Sequence, residues 1–377
     1  MPDFLPLAAE KFGSALEILD LAIRDRAFPG AVLAVGYGDK LAILPVGELT
    51  YAPGDPAVTA DTVYDLASLT KVVATTTAAM ILMERGALRL DDPVAHHLPD
   101  FVQPYDTAVD PLWSARGEVT VRHLLAHTSG LPAYEKFFLR AREKSHVLDE
   151  ALALPLEDAP GRRTLYSDVG FILLGAILEL VSKETLDEFC SREIFIPLRM
   201  SQTRFNPPPE WRDWIAPTEV DDSFRKRLVR AEVQDENASV MGGVAGHAGL
   251  FGTAGDLAGF CLMMLREGRV DMNADGARLL QSATIQEFTR AWPASEGVPR
   301  GLGWDKPSEP SSSGRYFSRA SYGHLGYTGT SLWIDPEKSI FIVLLTNRVH
   351  PSRSNKAIEK VRPAVHDAVM KALKADT

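Results

Sequence analysis

A serine and a lysine three residues apart, Ser68 and Lys71, stand at the start of a long apolar segment. In a helix this spacing places both side chains on one face of the first turn. The free N–H groups of a helix N-terminus favour a developing alkoxide, and burial lowers the pKa of a lysine from its usual value of about 10.4. The pair therefore predicts a nucleophilic serine and a lysine of lowered pKa that accepts its proton.

The S-x-x-K spacing alone is weak support, because about one match is expected by chance in a chain of this length. A second match, Ser223 to Lys226, lies in the charged run from Asp221 to Arg227 with no apolar helix behind it. We interpret this second match as part of a solvated surface. For Ser68 the alternative interpretation is an N-cap serine with an unrelated lysine nearby.

A tyrosine and a carboxylate supply further groups for proton transfer. Tyr166 and Asp168 come just before the apolar segment Val169 to Val181, a pattern typical of a helix whose entrance faces a cleft. A phenol beside an ammonium group can share its proton, because the two groups have similar reference pKa values and titrate together. Tyr166 is therefore a candidate partner of Lys71.

The segment from Gly323 to Thr330 combines a histidine, His324, with several glycines that include Gly326. Glycines in a strand allow another backbone or a ligand to approach closely. A backbone N–H of this segment, paired with that of the nucleophilic serine, would make an oxyanion hole. The segment is therefore predicted to form the edge of an acyl-binding site.

The elements that position these groups divide into strands near both chain ends and helices between them. The apolar runs predict two hairpins, with strands at 30–35, 41–46, 327–334 and 339–345. The fold class is therefore predicted to be α+β, with an antiparallel sheet built from both chain ends and flanked by helices. A mostly helical lobe is inserted into that sheet.

Three segments have clear helical periodicity. They predict an amphipathic helix in the first 26 residues, a buried helix from Ser68 to Arg85 that stops at Gly86, and a closing helix over 355–373 that is interrupted at Pro363. We predict one catalytic unit over residues 1–377. Its α/β part comprises 1–60 plus 250–377, and its helical lobe comprises 61–249.

Composition and charge exclude several classes of protein. The 377 residues are 45% hydrophobic and 24% charged, which is typical of a globular chain. A net charge of −10 argues against a nucleic-acid partner and against an anionic membrane surface. No window approaches 18 uninterrupted apolar residues, and the first 26 residues lack the features of a signal peptide, so we expect a cytoplasmic protein without a membrane span. Cys190 and Cys261 are expected to be small core side chains.

The three motifs, in this order, resemble those of the serine β-lactamase and penicillin-binding-protein superfamily. The resemblance is strongest to the class C β-lactamase-like branch, which includes DD-peptidase-like proteins and family VIII carboxylesterases. Further segments support it, namely Val121 to Pro132 with its His-Thr-Ser-Gly-Leu-Pro run, Ile194 to Met200, and Gly246 to Leu257. The resemblance covers most of the chain and implies the β-lactamase/DD-peptidase fold.

The resemblance also implies roles for individual residues. Ser68 would be the nucleophile, Lys71 its proton acceptor or relay, and Tyr166 the partner base and leaving-group acid. The backbone N–H groups of Ser68 and Tyr327 would form the oxyanion hole. The segment with His247 borders the cleft in relatives, so His247 is a substrate-lining candidate, whereas the loop that begins at His127 looks structural.

Two positions depart from the pattern of the β-lactamases and are expected to affect substrate binding. Asp168 stands where those enzymes usually have asparagine, and its negative charge would hold Lys71 protonated and shift proton acceptance toward Tyr166. His324 stands where they typically have a lysine that binds the substrate's carboxylate. A histidine is mostly neutral at pH 7 and attracts a carboxylate weakly. Both changes favour neutral esters over β-lactams.

The sequence therefore predicts a serine hydrolase that works through an acyl-enzyme, most simply an esterase on small acyl esters. The alternatives are a β-lactamase or a D-amino-acid peptidase, and, in a different class, a non-catalytic module that binds an acyl ligand. The partner is a small-molecule acyl substrate, and the oligomeric state is left open. No cofactor or metal is predicted: Asp271 to Gly276 copies half of an EF-hand loop, but Ser282 replaces its final glutamate, so we expect a polar turn.

Overall fold

The computed structural model describes residues 4–103, 112–270, 277–293, 296–298 and 300–374. Within them the strands are β1 Leu5–Pro6, β2 Gly30–Tyr37, β3 Lys40–Gly47, β4 Tyr64–Asp65, β5 Arg204–Phe205, β6 Val220–Asp221, β7 Arg227–Leu228, β8 Leu250–Gly252, β9 Tyr322–Leu325, β10 Ser331–Asp335 and β11 Ile340–Thr346. The α-helices are α1 Gly13–Arg24, α2 Thr77–Glu84, α3 Val94–His97, α4 Val121–Leu125, α5 Lys144–Ala153, α6 Asp168–Ser182, α7 Leu186–Cys190, α8 Glu236–Val240, α9 Ala254–Leu265, α10 Ser282–Thr289 and α11 Ile358–Lys374. Short 3₁₀ and π-helical turns join them, of which the π-helical turn Lys71–Thr76 leads directly into α2.

The main sheet is built from both ends of the chain, as predicted. Its strand order is β1-β3-β2-β11-β10-β9, and β2 of the N-terminal hairpin pairs antiparallel with β11 of the C-terminal one. The pairings are antiparallel except that between β1 and β3, which is parallel. The predicted α+β class is confirmed, whereas the boundaries predicted near residues 60 and 250 stay a prediction.

Alternation of apolar side chains along β2 divides the core between the two faces of the sheet. Leu33 and Val35 face a layer formed by α1 and α11, where Leu19 and Val365 are completely buried. Val32 and Ala34 face the other way and join the core of the helical region. Because successive residues of a strand point to opposite faces, a run of apolar residues is expected where both faces are covered.

The buried helix predicted from Ser68 to Arg85 is present as a continuous helical segment over 69–84. Its side chains from Lys71 to Met80 are buried, so the segment passes through the core of the helical region. Gly86 follows it with a φ of +70°, a conformation that glycine adopts without strain at a helix end. Ser68 itself lies in the turn immediately before the helix.

The strand predicted over 327–334 is wrong in its first half. Residues 326–330 form a turn, β10 begins only at Ser331, and β9 at Tyr322–Leu325 precedes the turn without having been predicted. Gly329 has a φ of +113°, which interrupts a strand. The apolar character of 322–325 is weak because the strand contains Gly323 and His324, so its pattern does not stand out in the sequence.

The two terminal helices also differ from their predicted form. The first helix begins only at Gly13, after β1 and a 3₁₀ turn. The last helix runs through Pro363 without interruption. Proline removes only the hydrogen bond to the carbonyl of Glu359, which is exposed and therefore open to water. No helix in the described part of the chain has the length and apolar character that a membrane crossing requires.

Candidate active site

A cleft of about 1000 Å³ lies between the β9 edge of the main sheet and the helical region. The predicted site residues Ser68, Tyr166, Asp168, His247, His324, Gly326 and Tyr327 all line it. Lys71 lies directly behind Ser68 with no solvent exposure. Residues separated by as much as 259 positions along the chain therefore meet at one cleft, since Ser68 and Tyr327 are both in its wall.

A buried carboxylate shapes the turn that presents Ser68. Ala67 has a φ of +48°, in the left-handed region that a residue with a Cβ rarely adopts. Its N–H donates to Asp65 Oδ1 at 2.8 Å, and Asp65 Oδ2 accepts from the N–H of Gln234 at 2.6 Å. Burial raises the pKa of Asp65 to about 6. Two backbone hydrogen bonds to one side chain thus hold the unusual turn that directs Ser68 into the cleft.

Lys71 contacts three oxygen atoms from three parts of the chain. Its Nζ donates to Ser68 Oγ at 3.0 Å and to the carbonyl of His247 at 2.9 Å. It also forms an ion pair with Asp168 Oδ1 at 2.7 Å, although the angles are not those of a linear hydrogen bond. An ammonium group has three N–H donors, so these contacts match the protonated form of the lysine.

The lowered pKa predicted for Lys71 is therefore wrong. Burial lowers the pKa of Lys71, but the negative charge of Asp168 and the hydroxyl group of Tyr166 outweigh it, so that the net pKa is raised. The desolvation argument from the sequence assumed an unpaired lysine. The second expectation was that the charge of Asp168 holds Lys71 protonated, and the structure agrees with it, because that charge raises the pKa of Lys71.

Tyr166 is held among aromatic rings beside Lys71. Its ring centroid lies 4.6 Å from that of His127 and 5.0 Å from Lys71 Nζ. Burial raises the pKa of Tyr166, while the charge of Lys71 and hydrogen bonds to Lys71 and Ser68 lower it, with a net increase. The phenol, the ammonium group and the serine hydroxyl therefore lie close enough together to influence one another's protonation.

His127 supports this cluster from behind. Its Nδ1 accepts the N–H of Ser167 at 3.0 Å, next to Tyr166 in the chain. Burial and the charges of Arg300 and Lys71 hold the pKa of His127 well below its usual range. A neutral ring that packs on Tyr166 and binds the backbone beside it matches the structural role implied for the loop of His127.

Two backbone amides at the cleft are without an acceptor. Among the described residues, the N–H groups of Ser68 and Tyr327 donate no hydrogen bond to protein. Thr328 Oγ1 donates to the carbonyl of Asp65 at 2.7 Å, and Thr330 Oγ1 donates to that of Leu66 at 3.0 Å. The two hydroxyls therefore hold the turn of Tyr327 against the turn of Ser68. Since neither N–H group is bonded to protein, both are available to an oxyanion.

The close contact between the turn of Tyr327 and the turn of Ser68 requires a glycine at position 326. A Cβ at this position would lie 1.9 Å from Thr330 Oγ1 and 2.6 Å from the carbonyl oxygen of Leu66. Any side chain would therefore separate the two turns. The glycine identified from the sequence serves the packing of the site's backbone, as well as access to it.

His324 projects from β9 toward Tyr166, with 5.7 Å between the ring centroids. Its Nδ1 lies 2.8 Å from the carbonyl oxygen of Leu325, which can only accept, so Nδ1 carries the hydrogen. Burial and the charges of Arg300 and Lys71 hold the pKa of His324 well below its usual range. The ring is therefore neutral, and its buried Nε2 is an acceptor with no partner among the described residues.

His247 contacts Lys71 through its backbone carbonyl, and its ring is bound to a second carboxylate. Its carbonyl accepts from Lys71, and its ring Nε2 lies 2.9 Å from Asp235 Oδ1. Burial raises the pKa of Asp235, but His247 and the N–H of Ala238 outweigh it and lower that pKa to about 2. His247 is among the residues that line the cleft, and its ring is held by a carboxylate that the sequence analysis did not identify. Its contact with substrate stays a prediction.

Arg300 is a cleft residue that sequence reasoning missed. Its guanidinium lies 5.4 Å from the centroid of Tyr166 and forms an ion pair with Asp305. Its Nε and Nη2 are buried and have no hydrogen-bond partner in the described structure. No motif surrounds Arg300, so nothing in the sequence separates it from the other arginines.

Two further sequence features can be compared with the structure. Ser223 Oγ donates to Asp221 at 3.0 Å, and Lys226 Nζ donates to the carbonyl of Asp222, so the second S-x-x-K match is an exposed turn in which the pair is not bonded. No group of three His, Cys, Asp or Glu side chains within the described ranges is arranged to hold a metal. The predicted polar turn at Asp271 to Gly276 lies outside the described residues.

Known proteins resemble this chain in sequence and in fold. A protein of Escherichia coli strain K12 with the provisional name D-alanyl-D-alanine carboxypeptidase is 34% identical over 319 residues, which are 78% of this chain and 70% of that protein. The structure of EstCE1, described as a hydrolase with promiscuous acyltransferase activity, superposes with a TM-score of 0.76 at 21% identity, covering 96% of this chain and 99% of that one. A class C β-lactamase from Rhodobacter sphaeroides superposes with a TM-score of 0.71 at 19% identity, over 96% and 99% of the two chains.

The match to a whole family extends over almost the entire chain. The family model described as Beta-lactamase matches residues 15–365. That range contains the Ser68, Tyr166 and His324 motifs, on which the resemblance was based. The predicted resemblance is confirmed, and the chain belongs to the Beta-lactamase family of serine hydrolases, alongside penicillin-binding-protein-like enzymes.

Proposed function

We propose that this protein is a serine hydrolase that forms an acyl-enzyme on Ser68, and that it acts as an esterase on small, neutral acyl esters. The observation that carries the proposal is the hydrogen bond of 3.0 Å between Lys71 Nζ and Ser68 Oγ, in a cleft that also contains Tyr166. A non-catalytic binding module would have no need for this three-residue cluster. The cytoplasmic location predicted from the sequence stays a prediction.

In the proposed reaction the coupled pair of Lys71 and Tyr166 first releases one proton to solvent, so that Tyr166 is a phenolate that can accept the serine proton while Lys71 remains charged. Ser68 Oγ forms a bond to the acyl carbon, its proton passes to Tyr166, and the carbonyl electron pair moves onto the oxygen between the N–H groups of Ser68 and Tyr327. Collapse of this intermediate breaks the bond to the alcohol, which takes the proton from Tyr166. Water then repeats the same steps on the acyl-enzyme, releases the acid and restores Ser68.

The protonated Lys71 has a specific purpose in this scheme. Its positive charge lowers the pKa of Tyr166, although burial keeps the net pKa raised. The phenolate that accepts the serine proton is therefore stabilised by the ammonium group beside it, and the lysine keeps its own proton. Asp168 keeps that charge in place through the ion pair of 2.7 Å.

The choice of neutral esters rests on His324. A neutral ring whose Nδ1 hydrogen is bound to the carbonyl of Leu325 presents only an acceptor nitrogen to the cleft. An acceptor repels a carboxylate, whereas the lysine expected at this position in β-lactamases attracts one. A substrate without a carboxylate is therefore the better match to β9.

A second candidate function, a carboxypeptidase acting on D-amino-acid peptides, is favoured by Arg300. Two of its guanidinium nitrogens, Nε and Nη2, are buried at the cleft without an acceptor, while Asp305 holds the opposite side. Such a group can bind the terminal carboxylate of a peptide in place of the missing lysine. The name of the Escherichia coli relative agrees with this alternative.

The test of the proposed function is covalent labelling followed by a substrate panel. A fluorophosphonate probe is expected to modify Ser68, as read by peptide mass spectrometry. Hydrolysis of p-nitrophenyl acetate and butyrate is then compared with that of nitrocefin and of a peptide ending in D-Ala-D-Ala. Fast ester turnover with little or no turnover of the other two supports the esterase. Labelling without any turnover would instead identify a binding module.

Substitution of Arg300 separates the two candidate functions. If the natural substrate is a peptide with a free carboxylate, Arg300→Gln is expected to raise KM for that peptide by about 10- to 100-fold, because a charge-assisted hydrogen bond is lost, and to leave neutral esters nearly unchanged. For an esterase, neither activity depends on Arg300. Arg290→Gln, an exposed arginine paired with Glu287, is the matched control.

Replacement of Asp168 tests the proposed protonation state of Lys71. The negative charge of Asp168 raises the pKa of both Lys71 and Tyr166. Asp168→Asn removes that charge, so the proton-accepting form of the pair is reached at a lower pH. The acidic limb of the profile of kcat/KM against pH is expected to move down by about 1–3 pH units.

The control for this experiment lies on the same helix. Glu179, near the other end of α6, forms a comparable carboxylate–lysine pair with Lys144 at 2.6 Å. Glu179→Gln is expected to leave the acidic limb in place. An acidic limb that does not move in Asp168→Asn would contradict the electrostatic role assigned to Asp168.

A further inference from the structure

The peptide unit between Gly326 and Tyr327 has a charged group on its carbonyl side. Arg362, on α11, donates from Nη2 to the carbonyl of Gly326 at 2.7 Å and to that of Thr330 at 3.0 Å. This peptide bond is trans, so its C=O and N–H point in opposite directions. The guanidinium and the N–H of Tyr327 therefore lie on opposite sides of the same peptide unit, although Arg362 also borders the cleft.

The guanidinium of Arg362 is bonded to backbone carbonyls and forms no ion pair with a carboxylate of the described residues. Its side chain is only 6% exposed, and it takes part in no ion pair among the described residues. Glu359, the carboxylate nearest along the helix, is exposed to solvent. Arg353, by contrast, is held by the carboxylates of Glu219 and Glu236. A buried cation without a counter-ion is costly, which points to a use for its charge.

A cation on a peptide carbonyl strengthens the N–H of the same peptide as a donor. Hydrogen bonds polarise one another along a chain, and the effect is larger where water is excluded. The N–H of Tyr327 has no acceptor in the described structure, so its donor capacity is unused. Arg348 donates to the next carbonyl, that of Tyr327, at 2.7 Å and fixes the other side of the residue.

The amide of Ser68 has a similar but neutral arrangement. The carbonyl of Ala67, which belongs to the same peptide unit as that N–H, accepts from Thr70 Oγ1 at 2.6 Å. Both free amides at the cleft thus have a donor on the carbonyl behind them. Only the amide of Tyr327 has a charged one.

We propose that Arg362 is a positioning residue that aims and polarises the Tyr327 N–H for the oxyanion of the reaction intermediate. The proposal rests on the proposed function, since it needs an acyl intermediate on Ser68. In this proposal a side chain of α11 affects catalysis only through the Gly326–Tyr327 peptide unit, to which it is hydrogen-bonded. Arg362 itself is not expected to touch the substrate's reacting atoms.

The test uses Arg362→Gln, with Arg362→Lys as the conservative variant. Kinetics with p-nitrophenyl butyrate are measured together with inhibition by phenylboronic acid, whose adduct with a serine is tetrahedral and negatively charged. Arg362→Gln is expected to lower kcat by about 10- to 100-fold, somewhat less than complete loss of an oxyanion donor, with little change in KM. The affinity for phenylboronic acid is expected to fall by a similar factor. Arg362→Lys, which keeps the charge, is expected to recover part of both.

A matched control is Arg230→Gln. Arg230 also donates to backbone carbonyls, those of Ile215 and Asp213, but it does not line the cleft. Its loss is expected to leave kcat and inhibition by phenylboronic acid unchanged, even if the melting temperature falls. Equal kinetic losses in Arg230→Gln and Arg362→Gln would reduce Arg362 to a structural residue and overturn the proposal.

The remaining outcomes also decide the proposal. An unchanged kcat in folded Arg362→Gln overturns it, as does a loss confined to KM. If Arg362→Gln does not fold, Arg362→Lys decides, because its shorter side chain is expected to hold the two carbonyls less well than Nη2 of the arginine does. A kcat and a boronate affinity equal to those of the wild type would then overturn the proposal. If the wild-type protein has no turnover that depends on Ser68, the proposed function is overturned, and this proposal with it. If the wild type turns over esters and substitution of Arg362 leaves kcat and boronate affinity unchanged, this proposal alone is overturned.

Discussion

Ser68→Ala is expected to abolish ester hydrolysis while the fold survives. The substitution removes the atom that forms the acyl-enzyme, and systems in which a serine acts with its proton acceptors lose on the order of 10⁴–10⁶ in kcat when the serine is lost. Ser68 lies in a turn at the wall of the cleft, so the loss of one hydroxyl creates no core cavity. Steady-state kinetics with p-nitrophenyl butyrate and a thermal melt measure both effects.

The chain supplies its own control for this experiment. Ser223 has the same spacing to a lysine and also borders the cleft, but its hydroxyl is bound to Asp221 and not to Lys226. Ser223→Ala is expected to be as active as the wild type and to keep the fluorophosphonate label on Ser68. Comparable losses in both variants, or full activity of Ser68→Ala, would remove Ser68 from the mechanism.

Lys71 and Tyr166 are expected to act as one unit, so that removing either costs about as much as removing both. Lys71 Nζ is hydrogen-bonded to Ser68 and lies 5.0 Å from the ring centroid of Tyr166, and the charge of Lys71 lowers the pKa of the phenol. The phenolate that receives the proton needs the ammonium charge, and the charge has no other use in the reaction. Lys71→Met and Tyr166→Phe are each expected to lower kcat by a factor on the order of 10⁴, with little further loss in the double variant.

The double-mutant cycle is measured as kcat for the four enzymes, with melting temperatures for each. Lys144→Met, which removes a lysine paired with Glu179 outside the cleft, is the control for loss of a charge pair. Losses in Lys71→Met and Tyr166→Phe that simply add as free energies in the double variant would show two independent roles. The coupled-pair mechanism would then be wrong.

The sequence permitted a correct view of the fold and of the residues that meet at the cleft. The hairpin strands near both chain ends have long apolar runs, because both faces of the central sheet are covered, and such runs are visible without any knowledge of neighbours. β9 was missed because Gly323 and His324 weaken the same signal. Ser68, Tyr166 and His324 were found because each lies in a short motif at the start or edge of an element.

The protonation of the site was decided only by the tertiary structure. Whether burial or a counter-charge governs the pKa of Lys71 depends on the distance to Asp168, which is 97 positions away in the chain and 2.7 Å away in space. The contact between Lys71 and the carbonyl of His247 spans 176 positions. Electrostatic interactions fall with distance and with solvent exposure, and neither quantity can be read from the order of residues.

The same reason accounts for the arginines that no motif identified. By itself the sequence determined the α+β class and predicted the proposed nucleophile and its two proton-transfer partners, since these depend on residue type, spacing and periodicity. Only the folded chain placed Arg300 at the cleft and Arg362 behind the Tyr327 amide. An arginine has the same chemistry at any point in a sequence, and only its burial and the atoms around it decide whether its charge binds a carboxylate, a carbonyl or water.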